Sequence, residues 1–281
     1  MIKSRAIILH RFPYSDSSWI VKALTEECGI VSFIVKGGKS KDSPFKGALD
    51  PLASCEVVFR ENPHAELLFV KEASILNWHK NLRENLLYLA EAQVMAEIIL
   101  RYAPQGVPLQ EEFLLLEEAL GQLDAVDDSG REVSAAGRDE TALENCADSV
   151  SNPTAAGREV TSPTSAGNVF ARFLLNICDL WGYHLDLTAC SCCETALTEP
   201  PADFQPETGT LICKACLGVS TSRARPETLR GLWSLRTRTS LVQPQFTENA
   251  LLAYLRNHIG FMKDLKSLQF LNETRKLYFS P

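Results

Sequence analysis

The chain has 281 residues, 45% hydrophobic and 22% charged, with a formal net charge of −7. That length suits two domains of about 100 to 200 residues each, and the composition excludes a wholly disordered or collagen-like chain. The best candidate for a membrane span, residues 86–103, is interrupted by Glu91, Glu97 and Arg101, short of the roughly 18 apolar residues a crossing needs. Near the N-terminus only Ala6, Ile7, Ile8 and Leu9 precede His10 and Arg11, too few for a secretory h-region. A cytoplasmic protein without a membrane partner is expected.

Residues 1–80 read as strands. Short β-branched or aromatic runs at 5–12, 18–24, 30–35, 53–59 and 67–75 are separated by turn-rich pieces at 13–16, 27–29 and 61–64, the punctuation of a small all-β unit. Five such strands favour a barrel of the OB-fold size. From residue 81 the period changes: Leu82, Leu86, Leu89, Ala92, Ala96 and Ile99 recur at helical spacing, and 109–123 continues the pattern. Residues 127–167 lose it, with Ser, Thr, Ala, Gly and Asp dominant, and read as a disordered acidic insertion. Helical patterns return at 169–182, 227–235 and 248–271, with a cysteine-rich segment at 188–218 between the first two. The fold class expected is therefore α+β: an N-terminal five-stranded OB-fold barrel over 1–80, then an α-helical domain over 81–281 with an inserted four-cysteine zinc module.

Charge is uneven along this layout. Residues 1–80 carry 11 Lys and Arg against 9 Asp and Glu, residues 81–168 carry 5 against 16, and residues 169–281 carry 12 against 10. The acidity is confined to the middle, so either end can present a basic surface to nucleic acid.

Five of the nine cysteines fall between 190 and 216. Cys190 with Cys193, and Cys213 with Cys216, form two C-x2-C pairs with 19 residues between them, the spacing that gives tetrahedral Zn²⁺ two thiolates from each side. Cys192 is a rival in the first pair, and His184 is a nearby alternative donor. Four protein ligands leave no open position, so a structural rather than catalytic zinc is expected. Cys28, Cys55, Cys146 and Cys178 stand apart and read as inert filler.

Lys36, Gly37, Gly38, Lys39, Ser40 and Lys41, with Lys46 shortly after, make a basic glycine-containing loop that lets backbone and ammonium groups approach phosphates. The spacing is not that of a P-loop. Arg223, Arg225, Arg230, Arg236 and Arg238 form a second basic run, suited to phosphate or to an acidic peptide. Phe12, Tyr14, Trp19 and Phe33 are the aromatics that could stack on bases. The five histidines stand in no catalytic motif, so no enzyme is expected. The rival readings are a protein–protein scaffold without DNA binding and an RNA or DNA end-processing enzyme built on OB and zinc modules.

The residues from Ala6 to His10 and Tyr14 to Val21, then Leu24 to Gly29 and Val35 to Gly38, resemble the N-terminal OB-fold of the RecO family of bacterial recombination mediators. The segment around Tyr183 to Leu187, both cysteine pairs and Phe204 to Gly209 is similar to that family's zinc segment, and 255–260 with 266–271 to its last helix. Two departures are the long 127–167 insertion and the extra Cys192. The resemblance implies binding of single- and double-stranded DNA, annealing of complementary strands, and loading of RecA onto DNA covered by single-strand-binding protein, in partnership with RecR, in the bacterial cytoplasm at the nucleoid. Within it, Arg11, Lys36, Lys39, Lys41 and Lys46 are expected to hold one strand. The run from Arg223 to Arg238 is expected to supply a second DNA contact or to receive the C-terminal tail of single-strand-binding protein.

Overall fold

The computed structural model describes residues 1–60, 62, 65–125, 168–259 and 265–279. The expected insertion at 127–167 lies outside the described residues.

Five strands, β1 (Ile2–Pro13), β2 (Trp19–Thr25), β3 (Gly29–Val35), β4 (Ser54–Phe59) and β5 (Leu68–Asn77), close into a barrel in the order β1-β2-β3-β5-β4. β4 returns to β1 through pairs from Ile2↔Phe59 to Ile7↔Ser54, and β3 meets β5 in parallel at Phe33↔Leu68. This is the five-stranded OB-type barrel expected. Alternation explains the continuous apolar run on β1: Ala6 and Ile8 point into the barrel with Val21, Phe33, Val57 and Phe59, whereas Ile7 and Leu9 point out against the helices. The register slips between Ile8 and His10, a bulge that bends β1 where it leaves the helical body.

The helical body comprises α1 (Lys80–Glu84), α2 (Leu86–Tyr102), α3 (Gln110–Asp124), α4 (Val169–Leu180), α6 (Pro226–Thr237), α7 (Pro244–Ile259) and α8 (Lys266–Phe279). Between α4 and α6 lie the hairpin β6 (Asp203–Gln205) and β7 (Thr210–Ile212) and the short helix α5 (Lys214–Leu217). One long helix from residue 82 was expected, but the chain breaks at Asn85. Its side chain accepts from the N–H groups of Leu87 and Tyr88 and so caps α2. The expected single stripe at 248–271 is likewise two helices. α8 begins anew where Glu97 of α2 accepts from the N–H groups of Lys266 and Ser267, a carboxylate at a helix N-terminus.

α2 is buried nearly all round through Ala90, Ala92, Val94, Met95, Ala96, Ile98 and Ile99, and packs against α8, α3, α4 and β1. The hydrophobic core runs unbroken from Ile7, Leu9, Leu24 and Leu52 of the barrel into the helices. Polar contacts fasten the same junction: Arg5 binds Glu26 and Glu117, each at 2.8 Å. Gly29, at φ 67°, brings the β2–β3 turn so close to the α2–α3 connection that a Cβ would lie 2.0 Å from the Val107 carbonyl oxygen; only glycine fits there. Inside the helical body Arg275 reaches Glu248 and, at 3.5 Å, Glu91, all three buried.

Candidate nucleic-acid interface and metal centre

The connection from β3 to β4 runs as a series of turns, and its Phe45, Ala48 and Leu49 pack with the interior of the barrel. Lys39 is the clip: its N–H donates to Ser17 O at 3.1 Å and its ammonium to Ser15 O, joining this connection to the β1–β2 loop. Gly38 permits the close approach, because a Cβ there would sit 2.8 Å from the Trp19 ring and 3.0 Å from Val35. Between the loop and the barrel lies an open cleft of about 340 Å³ lined by Arg11, Trp19, Lys39, Lys41, Lys46 and Asp50, among others. Four of the five expected DNA-binding cations thus line one cleft with Trp19.

Arg11 lies 4.8 Å and Lys39 5.2 Å from the centre of the Trp19 ring, within cation–π range. Arg11 is also paired with Asp50 at 2.5 Å, so four cations and one carboxylate leave a net charge of +3 on the cleft wall. The fifth expected cation, Lys36, is exposed but stands outside the cleft, 5.0 Å from the centre of the Phe69 ring. Of the aromatics considered for stacking, Phe33 is sealed in the barrel edge-to-face with Phe59. It faces inward by the strand alternation and cannot meet a base. Tyr14 is exposed and Trp19 half-buried. Sequence reasoning missed Asp50 and Trp78; nothing in a lone Asp or a Trp at a strand end signals that the indole N–H lies 3.4 Å from that carboxylate.

The arginine run does not converge on one groove among the described residues. Arg223 and Arg225 follow the knuckle segment, where the N–H groups of Arg223 and Ala224 and the Ser222 hydroxyl donate to buried Asp203. Burial opposes ionisation of Asp203, and these donors more than offset it, holding its carboxyl below the usual range. Arg225 stands over Phe246, Arg230 pairs with Glu227 at 3.2 Å, and Arg236 donates to Leu197 O while lying over Trp233. Arg230 lines a cleft with Trp233, Val242 and Gln243. Arg238 ends α6 in the left-handed conformation, exposed.

The sulfurs of Cys190, Cys193, Cys213 and Cys216 all lie within 4.8 Å of one another, with Cys193 and Cys213 at 3.8 Å. Four thiolates each about 2.3 Å from a tetrahedral Zn²⁺ stand about 3.8 Å apart, so the donor set and spacing fit that ion. Backbone N–H groups point at the sulfurs: Cys213 N to Cys190 Sγ at 3.3 Å and Cys216 N to Cys213 Sγ at 3.4 Å. Burial works against ionisation of Cys190, but the N–H groups of Cys213, Cys193 and Cys192 prevail and bring its thiol down to about 6. Cys192 is exposed and His184 is paired with Asp179 at 2.8 Å, and both stand outside the four-sulfur cluster. The β6–β7 hairpin turns at Gly209 (φ 70°), where a Cβ would meet the Tyr254 ring at 2.6 Å, seating the cysteine segment on α7.

These features define an OB-barrel protein with a helical, cysteine-knuckled body. The family model described as "Recombination protein O N terminal" matches residues 1–79. The chain is 32% identical over 124 residues to "DNA repair protein RecO" of Anaeromyxobacter sp. (strain Fw109-5), covering 44% of this chain and 48% of that protein. It is 31% identical over 121 residues to "DNA repair protein RecO" of Syntrophobacter fumaroxidans, covering 43% and 48%. In these matches the chain spans about half the length of the curated relatives. A third, "DNA repair protein RecO" of Anaeromyxobacter dehalogenans, is 25% identical over 283 aligned positions, 97% of this chain and 96% of that protein. The chain is thus similar to RecO proteins, at 31–32% identity over 43–44% of its length and at 25% over nearly all of it. No helix among the described residues is long and apolar enough to cross a membrane.

Proposed function

We propose that this protein is a non-enzymatic DNA repair and recombination mediator of the bacterial cytoplasm and nucleoid. It binds single- and double-stranded DNA, anneals complementary strands and, with RecR, helps load RecA onto DNA covered by single-strand-binding protein. The observation that carries the reading is the cleft between the barrel and the β3–β4 connection, which Arg11, Lys39, Lys41 and Lys46 line together with Trp19. OB barrels bind oligonucleotides on this side, and cations beside a stacking ring suit a flexible strand without sequence preference. Lys36 flanks the cleft and extends its charge along the barrel.

The arginines at 223, 225, 230, 236 and 238 supply the second contact, for another DNA segment or for the acidic tail of single-strand-binding protein. Two sites on one body raise the effective concentration of a second strand, which suffices for annealing without a nucleotide. The four cysteines hold a structural Zn²⁺ that fixes the hairpin beside this second surface.

The test is duplex formation from two complementary oligonucleotides, each coated with the cognate single-strand-binding protein, followed without nucleotide. Acceleration over the protein-free rate that Lys39→Glu with Lys41→Glu abolishes is expected. No acceleration in low salt would overturn the mediator reading in favour of a scaffold whose basic surfaces bind proteins.

A further inference from the structure

Trp78 follows β5 at the seam between barrel and helices, and 41% of it remains exposed. Arg83 stands 4.5 Å from the centre of its ring, itself held by Trp78 O and Pro51 O at 2.6 Å each. The indole N–H points at Asp50 Oδ2, 3.4 Å away, while Asp50 Oδ1 holds Arg11. Arg11 in turn stands over Trp19, beside Lys39. Cation and ring therefore alternate from Lys39 through Trp19 and Arg11 to Trp78 and Arg83, with Asp50 as the single carboxylate between the two halves.

The seat of Trp78 is rigid. His79 adopts a left-handed conformation (φ 53°), its N–H bonded to the Asn77 side chain at 2.9 Å and its ring Nδ1 2.9 Å from Leu52 O. An indole needed only for packing would be turned inward. This one has its N–H aimed at Asp50, a residue lining the cationic cleft, and keeps ring surface in water. A platform ordered in advance loses little conformational entropy when a base settles on it.

We propose that Trp78 is a second base-stacking platform for single-stranded nucleic acid, continuous with the cleft around Trp19, and that Asp50 is the positioning residue that orients it. The inference rests on the reading of that cleft as a DNA site. The ligand class follows from the chemistry: a ring face takes an unstacked base, and duplex bases are not free to meet it.

The test compares Trp78→Ala and Trp78→Phe in the full chain, using an oligothymidylate of about 16 nucleotides, the upper site size of one OB fold, and a duplex. Trp78→Ala is expected to weaken single-strand binding roughly 5- to 150-fold, the worth of one base stack, and to leave duplex binding unchanged. Trp78→Phe keeps a stacking ring and is expected to stay near wild type. Wild-type protein irradiated with a 5-iodouracil oligonucleotide is expected to carry an adduct on Trp78, a readout that needs no variant to fold. Equal loss on both nucleic acids, or adducts confined to Trp19, would overturn the proposal while leaving the cleft as a DNA site. A wild-type protein that binds neither nucleic acid in low salt would overturn the cleft reading, and this proposal with it.

Discussion

Asp50→Asn isolates the electrostatics of the cleft. In the wild type, Arg11 is engaged by Asp50 at 2.5 Å, so an arriving phosphate meets three ammonium groups that Asp50 does not hold, on Lys39, Lys41 and Lys46. Each phosphate neutralised on a single strand contributes about −0.7 to the slope of log K against log salt, so the cleft of the wild type contributes about −2.1. Asparagine keeps an oxygen for the Trp78 N–H but releases Arg11, raising the available cations to four and the slope to about −2.8. The affinity gained is the worth of a half-exposed ion pair no longer competing, about 0.2 to 1 kcal/mol or roughly 1.4- to 5-fold. Lys39→Glu with Lys41→Glu moves the slope the opposite way, toward about −0.7. Fluorescence anisotropy of a labelled oligothymidylate across a salt series reads both variants. A folding defect would weaken both; opposite displacements require the cations to act on phosphate. Asp50→Asn binding more weakly than wild type, or either slope unchanged, would refute the reasoning.

Metal analysis of the purified protein is expected to give about one zinc ion per chain. Cys193→Ser should lose it and Cys192→Ser retain it; metal loss in the Cys192 variant would reassign the ligand set. Gly38→Ala pushes a methyl group to 2.8 Å from the Trp19 ring, an overpacking that typically costs about 1 to 3 kcal/mol. Weaker single-strand binding with altered tryptophan emission is expected, and unchanged binding would detach Trp19 from the site. The buried trio of Glu91, Glu248 and Arg275 sets a pH dependence. Burial raises both carboxyls, Glu248 to about 7 and Glu91 well above its ordinary value, the latter also pushed up by Glu248. An acid whose folded pKa is raised holds its proton better in the native state, so the stabilisation from Glu248 is complete below about 4.5 and is lost as the pH rises through about 7, by up to ~1.4 kcal/mol per pH unit. Glu248→Gln should flatten the fall in melting temperature between pH 5.5 and 8; an unaltered slope would remove Glu248 from it.

The barrel was legible in the sequence because strand alternation and turn residues are local signals, and the five strands lie within about three residues of their expected limits. Closure through β4 and β1 was not, since pairing such as Ile2↔Phe59 depends on residues far apart in the chain. The cysteine pairs were legible for a similar reason: two short spacings almost determine the geometry of four sulfurs. The arginine run was the least informative signal. At 100° per residue along a helix, proximity in sequence spreads Arg230 and Arg236 to different faces, where one pairs with Glu227 and the other with Leu197 O. Lys36 shows the same weakness on a smaller scale, leaving the cleft for Phe69 at the end of β3.

The net charge of −7 and the proposed DNA-binding cleft are compatible because several acidic groups among the described residues are committed elsewhere. Glu26 and Glu117 are engaged by Arg5, Glu97 by Arg101 and the start of α8, and Glu91 and Glu248 by buried Arg275. Arginines are thereby consumed in fastening barrel to helices and helix to helix. The cations left for solvent around the cleft are lysines of the β3–β4 connection, compact charges on flexible stems that follow a moving phosphate chain without fixing its register. At physiological ionic strength a phosphate senses charges within about 8 Å, so the local excess of +3 governs its approach rather than the total for the chain. Arg11 is the one arginine in the cleft, and it is the one that Asp50 restrains. That restraint holds the cleft's resting attraction for phosphate below what the four cations could give, which suits the proposed annealing role, in which each strand is released once paired.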